Sequence, residues 1–132
     1  MESFKHVTLL VVDDEADLRE CIAEDFESRG FTVLTAENGT QALEVIQSRP
    51  VDLVISDMRM PHGDGMFLLE QIRARHPEIP VVILITGHAD HSEKACLEKG
   101  ARKILTKPFD ANRLQELIVE YLQLKGSKKS AA

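Results

Sequence analysis

The sequence predicts an α/β domain in which helices cover both faces of a five-stranded parallel sheet, a doubly wound architecture. Five short apolar segments alternate with helix-length segments along the 132 residues. Residues 7–12 are nearly all apolar and residues 81–85 are wholly so, which is typical of strands buried on both faces. Successive parallel strands joined by right-handed crossovers require helices on both sides of the sheet.

The five predicted strands cover residues 7–12, 31–35, 51–56, 81–85 and 103–106. Each is short and enriched in β-branched side chains, and each is followed by a segment long enough for a helix. Five strands in this alternation favour the flavodoxin-like strand order 2-1-3-4-5 with five flanking helices. In such sheets, binding sites lie at the carboxyl ends of the strands.

The helices are indicated by apolar spacing and by signals at their ends. The last helix carries one apolar stripe at i, i+3, i+4, i+7 and i+8, formed by Leu114, Leu117, Ile118, Tyr121 and Leu122. The first helix is predicted to end before Gly30, a typical C′ residue, and Gly100 closes the fourth. Asn38 and Asp64, each followed by glycine, mark the turns into the second and third helices.

Composition and charge restrict the class of protein. An apolar content of 43% excludes a disordered chain, no segment is long enough to span a bilayer, and the first six residues lack a signal-peptide pattern. The sequence therefore predicts a cytoplasmic protein with no membrane partner. Residues 1–124 hold 13 basic and 22 acidic side chains, a net charge of −9, so direct nucleic-acid binding by this domain is not expected. We predict one domain over residues 1–124 and a short basic, flexible tail over 125–132.

The two cysteines, Cys21 and Cys96, are predicted to be small buried side chains rather than a disulfide. Neither has the spacing of a metal site.

Polar residues follow the predicted strands at the points where those strands end. Asp13 and Asp14 follow the first strand, Asp57 follows the third, Thr86 ends the fourth and Lys107 follows the fifth. The carboxyl ends of parallel strands meet at one edge of the sheet, and strands 1 and 3 are neighbours in the predicted order. The three aspartates should therefore lie close together.

Three neighbouring carboxylates repel one another, and a cation relieves that repulsion. Oxygen ligands in a small open site suit Mg²⁺, which retains waters and shares its coordination shell with phosphate. A carboxylate can act as a nucleophile towards phosphorus, and phosphoryl transfer needs mainly positioning and charge neutralisation. Lys107 offers a point charge for a phosphoryl oxygen and Thr86 a hydroxyl donor.

This set of residues resembles the receiver domain of two-component response regulators, over roughly residues 6–124. The motifs that carry the resemblance are Val12-Asp13-Asp14-Glu15, Asp57 followed by Met60-Pro61 and Gly65, Thr86-Gly87, and Lys107-Pro108-Phe109. The resemblance implies that Asp57 accepts a phosphoryl group from a histidine kinase or phosphotransfer protein. It also implies that Asp13, Asp14 and Asp57 hold Mg²⁺ together with the backbone carbonyl of Arg59.

The same resemblance implies roles for the remaining residues of this edge. Lys107 would contact the phosphoryl oxygens, and Thr86 would move towards the phosphoryl group and report its presence. Gly87 would leave room for the donor, and His88 would modulate hydrolysis of the aspartyl phosphate. The family often has Tyr or Phe three residues before the lysine, where this chain has Ile104, so the aromatic part of the usual switch is absent.

Alternative interpretations remain open at this point. The domain could be a phosphorylation-independent interaction module on the same fold. A hydrolase with an aspartyl-phosphate intermediate is disfavoured, because Met58 and Arg59 stand where a second acid/base Asp is expected. A flavin site is disfavoured because acids replace a phosphate-binding loop after the first strand.

Asp14 is also a candidate N-cap of the first helix. The output is either a downstream protein target or a domain outside this sequence.

Overall fold

The structure is a computed structural model that describes residues 6–76, 80–87, 93–107, 110 and 112–121. Five parallel strands form one sheet in the order β2-β1-β3-β4-β5, which confirms the predicted topology. The strands are β1 (Thr8–Val12), β2 (Thr32–Ala36), β3 (Leu53–Asp57), β4 (Val81–Thr86) and β5 (Lys103–Thr106). The helices are α1 (Ala16–Ser28), α2 (Gly39–Ser48), α3 (Gly65–Arg75), α4 (Glu93–Glu98) and α5 (residues 112–121).

The strand bounds agree with the prediction to within two residues, and β5 agrees at both ends. The largest difference is in β3, which begins two residues later than predicted and includes Asp57. Asp57 is paired with Ile85 of β4, so the ladder continues through the aspartate rather than ending before it. Asp57 is therefore held by the sheet itself.

The ends of the helices follow the residues that predicted them. The Asn38 side chain accepts a hydrogen bond from the backbone N–H of Gln41, at the start of α2. Asp64 accepts the equivalent bond at the start of α3. Gly30 and Gly100 have φ angles of 103° and 110°, in the left-handed region that favours glycine after a helix.

The proposed cap of the first helix was wrong. Glu15, not Asp14, occupies the N-cap position of α1, and its side chain makes no capping bond. The backbone N–H of Glu15 instead donates to the Asp13 carboxylate at 2.9 Å. Because the Asp13 carboxylate accepts this N–H, α1 begins one residue later than it would with Asp14 as its N-cap.

Two apolar layers cover the two faces of the sheet. On one face, Phe26 of α1 and Leu114 and Ile118 of α5 belong to the same buried cluster as Leu9 and Ile55. On the other face, side chains of α2, α3 and α4 pack against β1, β3 and β4 through Ala42, Leu68, Leu69, Ile72, Cys96, Leu10, Val54 and Leu84. Burial on both faces explains the continuous apolar character of the central strands.

The two cysteines differ in solvent exposure, which the sequence did not predict. Neither forms a disulfide, and Cys96 is buried as expected. Cys21 is exposed, so the expectation of a buried thiol was wrong at that position. It lies between Glu20 and Glu24 on the α1 sequence, and both of those side chains are exposed as well.

No helix within the described residues is long and apolar enough to cross a membrane.

Candidate functional site

The carboxyl ends of β1, β3, β4 and β5 bring the predicted polar residues to one edge of the sheet. Asp57 is the last residue of β3, and Thr86 is the last residue of β4. Asp13 directly follows β1, and Lys107 directly follows β5. Asp13, Asp57 and Thr86 are buried, although each carries a polar side chain. Buried polar side chains gathered in this way are typical of a functional site.

The three aspartates form a compact cluster. One carboxylate oxygen from each of Asp13, Asp14 and Asp57 can be chosen so that all three atoms lie within 4.8 Å of one another. Asp14 is exposed, so the cluster opens to solvent on its side. This arrangement matches a small, open oxygen site for a divalent cation, because only a few protein ligands converge and room remains for water or phosphate.

Backbone hydrogen bonds fix Asp13 in this cluster. Its N–H donates to the carbonyl oxygen of Ala36 at the end of β2, at 3.2 Å. Its Oδ1 accepts the N–H of Glu15 at 2.9 Å. These two bonds hold both the backbone and the carboxylate of Asp13 in place.

Lys107 is held next to Asp57. Its Nζ lies 3.6 Å from Asp57 Oδ2, and its backbone N–H donates to the carbonyl oxygen of Thr86 at 2.8 Å. The N–H of Met58 donates to the carbonyl oxygen of Ile85, also at 2.8 Å, which ties the residue after Asp57 to β4. The Lys107 ammonium and the Asp57 carboxylate are therefore positioned by β5 and β3, which both pair with β4 between them.

The environment raises the pKa of two of the carboxyl groups. Burial raises the pKa of Asp57 above its ordinary value, and the Lys107 ammonium and the backbone N–H of Arg59 oppose that shift. Burial also raises the pKa of Asp13, against the hydrogen bond from Glu15 and with added repulsion from Asp57. Both ionised forms are thus disfavoured in the folded protein, as expected for buried like charges.

The remaining predicted residues occupy different environments. Gly87 is exposed, and a Cβ added there would meet no heavy atom of the described chain within 4 Å. Arg59 is exposed, and Ile104 is partly buried against the cluster that includes Leu84. His88 lies outside the described residues.

Two residues at this edge were missed by the sequence analysis. Ser56 is fully buried, and its hydroxyl donates to the carbonyl oxygen of Asp57 at 3.0 Å. Arg19 of α1 donates through Nη1 to the carbonyl oxygen of Asp13 at 2.8 Å. A serine inside an apolar strand is a signal that could have identified Ser56. Arg19 offers no comparable signal, because it contacts a backbone carbonyl that every residue possesses.

The family model for the response regulator receiver domain matches residues 9–119. This match includes β2 to β5, β1 apart from its first residue, and the carboxylates, Thr86 and Lys107 described above.

The chain is a response regulator receiver domain.

Known proteins similar to this receiver domain are regulators of the same family. The DNA-binding transcriptional regulator NtrC of Escherichia coli K12 is 39% identical over 109 residues, covering 82% of this chain and 23% of that protein. The response regulator protein PilR of Pseudomonas aeruginosa is 37% identical over 124 residues, covering 93% of this chain and 28% of that protein. The chain thus spans less than a third of the length of these relatives.

A solved structure has the same fold. The CheY-like receiver domain protein from Methanospirillum hungatei JF-1 superposes with a TM-score of 0.86 at 26% identity, covering 92% of this chain and 98% of that one. These likenesses support a role in two-component signalling, and nothing among them favours the phosphorylation-independent alternative. Receiver domains bind Mg²⁺ in general, and the acidic cluster of this receiver domain has the composition for it.

Proposed function

We propose that this receiver domain accepts a phosphoryl group onto Asp57 from a histidine kinase or phosphotransfer protein, in a reaction that depends on Mg²⁺. Phosphorylation then changes the surface through which the domain contacts a downstream protein or an output domain. Four residues at one edge of the sheet perform the chemistry: Asp13, Asp14, Asp57 and Lys107.

The observation that carries this proposal is the combination of three clustered carboxylates with one lysine. The carboxylate oxygens lie within 4.8 Å of one another, and Lys107 Nζ lies 3.6 Å from Asp57 Oδ2. A lysine paired with a single aspartate would be an ordinary ion pair. Here two further carboxylates remain beside that pair, and burial disfavours the ionised forms of Asp13 and Asp57. The site therefore has a surplus of negative charge that a divalent cation would balance.

The donor set fits Mg²⁺ rather than a softer metal. Asp13, Asp14 and Asp57 would hold the ion, with the backbone carbonyl of Arg59 as a further ligand, so all the protein ligands would be hard oxygens. Bound Mg²⁺ would neutralise negative charge on the phosphoryl oxygens during transfer. The exposed position of Asp14 leaves one side of the cluster open for the donor.

In the transfer step, a carboxylate oxygen of Asp57 attacks the phosphorus of a phosphohistidine. An O–P bond forms, the N–P bond breaks, and the electron pair of the N–P bond stays on the leaving imidazole nitrogen. Lys107 reaches Asp57 already and would contact a phosphoryl oxygen. Hydrolysis is the attack of water on the same phosphorus, which returns the carboxylate and releases inorganic phosphate. The domain would thus catalyse only its own modification and its slow reversal.

The switch would begin at Thr86. Its backbone carbonyl accepts the N–H of Lys107, so Thr86 and Lys107 are already coupled. Gly87, which is exposed, would admit the donor, and His88 would modulate hydrolysis. Ile104 lies on β5 in register with Leu84, and its branched aliphatic side chain would repack rather than rotate as an aromatic ring.

We propose the cytoplasm as the compartment, a domain over residues 1–124 and a basic tail over 125–132, which lies outside the described residues.

Intact-mass spectrometry tests the acceptor assignment. The protein is incubated with Mg²⁺ and acetyl phosphate, beside Asp57→Asn and a matched control, Asp64→Asn. Asparagine retains the capping oxygen that Asp64 supplies to α3, so this control removes a carboxylate outside the cluster without removing the cap. Wild type and Asp64→Asn should gain one phosphoryl group, and Asp57→Asn none. Absence of modification in wild type, with Mg²⁺ binding demonstrated and hydrolysis excluded by rapid quenching, would favour the interaction-module alternative.

A further inference from the structure

We propose that Arg19 is a positioning residue for the metal site, because it fixes the peptide group that joins Asp13 to Asp14. This inference rests on the proposed function in taking the two aspartates as Mg²⁺ ligands. It assigns a role to a residue that itself offers no oxygen to the ion.

The central contact is a single short hydrogen bond between α1 and the end of β1. Arg19 Nη1 donates to the carbonyl oxygen of Asp13 at 2.8 Å, and the contact is partly buried. The backbone of Arg19 is held as well, because its N–H donates to the carbonyl oxygen of Glu15 at 2.9 Å. The guanidinium is therefore anchored on the first turn of the helix.

The contact controls two carboxylates because a peptide group is planar. The carbonyl of Asp13 lies in the same plane as the nitrogen and Cα of Asp14. The other side of Asp13 is fixed too, since its N–H donates to the carbonyl oxygen of Ala36 at 3.2 Å. Holding the carbonyl oxygen then restricts rotation of this peptide and, with it, the directions in which the side chains of Asp13 and Asp14 leave the backbone.

The hydrogen bond to the carbonyl oxygen places the positive charge of Arg19 near the acidic cluster, but not on its carboxylate oxygens. Among the described residues, Arg19 forms no ion pair with a carboxylate, and its short bond is to the carbonyl. An arginine bonded to the carboxylate oxygens would compete with a cation for them. Arg19 instead orients the ligands and leaves those oxygens available.

The test is Mg²⁺ affinity, measured by isothermal titration calorimetry on Arg19→Ala and Arg19→Lys. Alanine is a strong helix former, so α1 should be retained, and circular dichroism checks this. Loss of a partner that orients metal ligands typically weakens binding about 10–100-fold, and we expect about tenfold for Arg19→Ala. Lysine has one terminal donor nitrogen that can restore the bond, so Arg19→Lys should recover most of the affinity.

Arg29→Ala is the matched control. Arg29 ends the same helix and bonds Asp25 and Asn112, both at 3.1 Å, away from the acidic cluster. Its loss should lower the melting temperature and leave Mg²⁺ affinity unchanged. A second measurement follows the ¹⁵N chemical shift of the Asp14 amide, which is bonded to the Asp13 carbonyl. That shift should change in Arg19→Ala without Mg²⁺ and stay unchanged in Arg29→Ala.

The outcomes separate this inference from the proposed function. Folded Arg19→Ala that binds Mg²⁺ within about twofold of wild type, well below the loss typical of an orienting partner, would overturn the role of Arg19. The metal site itself would then stand. Absence of Mg²⁺ binding by wild type would overturn the metal site and this inference with it. Equal weakening in Arg19→Ala and Arg29→Ala would show a general effect of destabilising α1 and would also overturn the positioning role.

Discussion

Replacement of Asp57 by asparagine should stabilise the metal-free protein. Asn retains the shape of the side chain and removes its charge. Burial and like charge raise the pKa of Asp57 in the folded state, so ionisation of this carboxylate destabilises the folded protein. Removal of the acceptor should therefore raise the melting temperature, although it abolishes the proposed function.

The magnitude follows from the distances at the site. The chosen carboxylate oxygens lie no more than 4.8 Å apart, and unit charges at 4.8 Å repel by about 3.5 kcal/mol at an effective dielectric constant of about 20. Lys107 Nζ lies 3.6 Å from Asp57 Oδ2, and the attraction between these two charges is about 4.6 kcal/mol at the same dielectric constant. Repulsion from Asp13 and Asp14 together thus exceeds the attraction by about 2 kcal/mol, and exposure of Asp14 reduces this excess through screening. We expect a stabilisation of about 1–2 kcal/mol, which corresponds to about 4–8 °C in melting temperature.

Thermal unfolding by far-ultraviolet circular dichroism in EDTA measures this effect. The control is Asp17→Asn, which removes an exposed acid in the first turn of α1 and changes the net charge equally. The pH dependence adds a second test. The penalty from Asp57 is complete above its raised folded-state pKa and disappears as the pH falls towards the ordinary value of 3.8. The advantage of Asp57→Asn over wild type should shrink on acidification, whereas any Asp17→Asn effect should not follow this pattern.

Two results would refute the reasoning. Asp57→Asn that melts at or below the wild-type temperature at neutral pH would show that Lys107 outweighs burial and like-charge repulsion together. An advantage that persists unchanged near pH 4 would show that it does not arise from the ionised carboxylate.

Three further predictions concern the site and its supports. Mg²⁺ at about 100 times its dissociation constant should raise the free energy of unfolding of wild type by about 2.7 kcal/mol, and EDTA should reverse the shift in melting temperature. Gly65→Ala should lower the free energy of unfolding by about 1–3 kcal/mol, because its Cβ would lie 2.6 Å from the Asp57 carbonyl oxygen. Gly87→Ala should change this free energy little, and urea unfolding compares the two variants. Asn38→Ala should cost about 1 kcal/mol in the same assay through loss of the bond to Gln41, and Asn38→Asp should retain it.

The sequence predicted the strands and their parallel arrangement because burial on both faces leaves a strong apolar signal. Residues 81–85 show why: β4 lies inside the sheet between β3 and β5, and its side chains are almost all buried. The end of β3 was placed one residue early because Asp57 interrupts the apolar pattern. Pairing with Ile85 extends the strand through that residue, and backbone pairing has no signature in residue type.

The convergence of the site residues was predictable for the same reason, since topology alone brings strand ends together. The details of local hydrogen bonding were not. Asp14 was a reasonable cap from its position, but the Asp13 carboxylate takes the N–H of Glu15 and α1 begins later. Arg19 was missed because its partner is a carbonyl oxygen, and proximity of a side chain to a particular carbonyl depends on the tertiary fold.

The placement of the acids on adjacent strands explains why a ligand, rather than relaxation of the chain, must relieve their repulsion. Val12 and Ser56, which immediately precede Asp13 and Asp57, are paired across β1 and β3. Separation of the two carboxylates through the backbone would break that ladder and disturb buried side chains on both faces of the sheet. Rotation of Asp13 is opposed by its bond from Glu15. The repulsion is therefore retained in the folded state, where in the proposed function a cation, together with Lys107, would neutralise it and would bind the phosphoryl group during transfer.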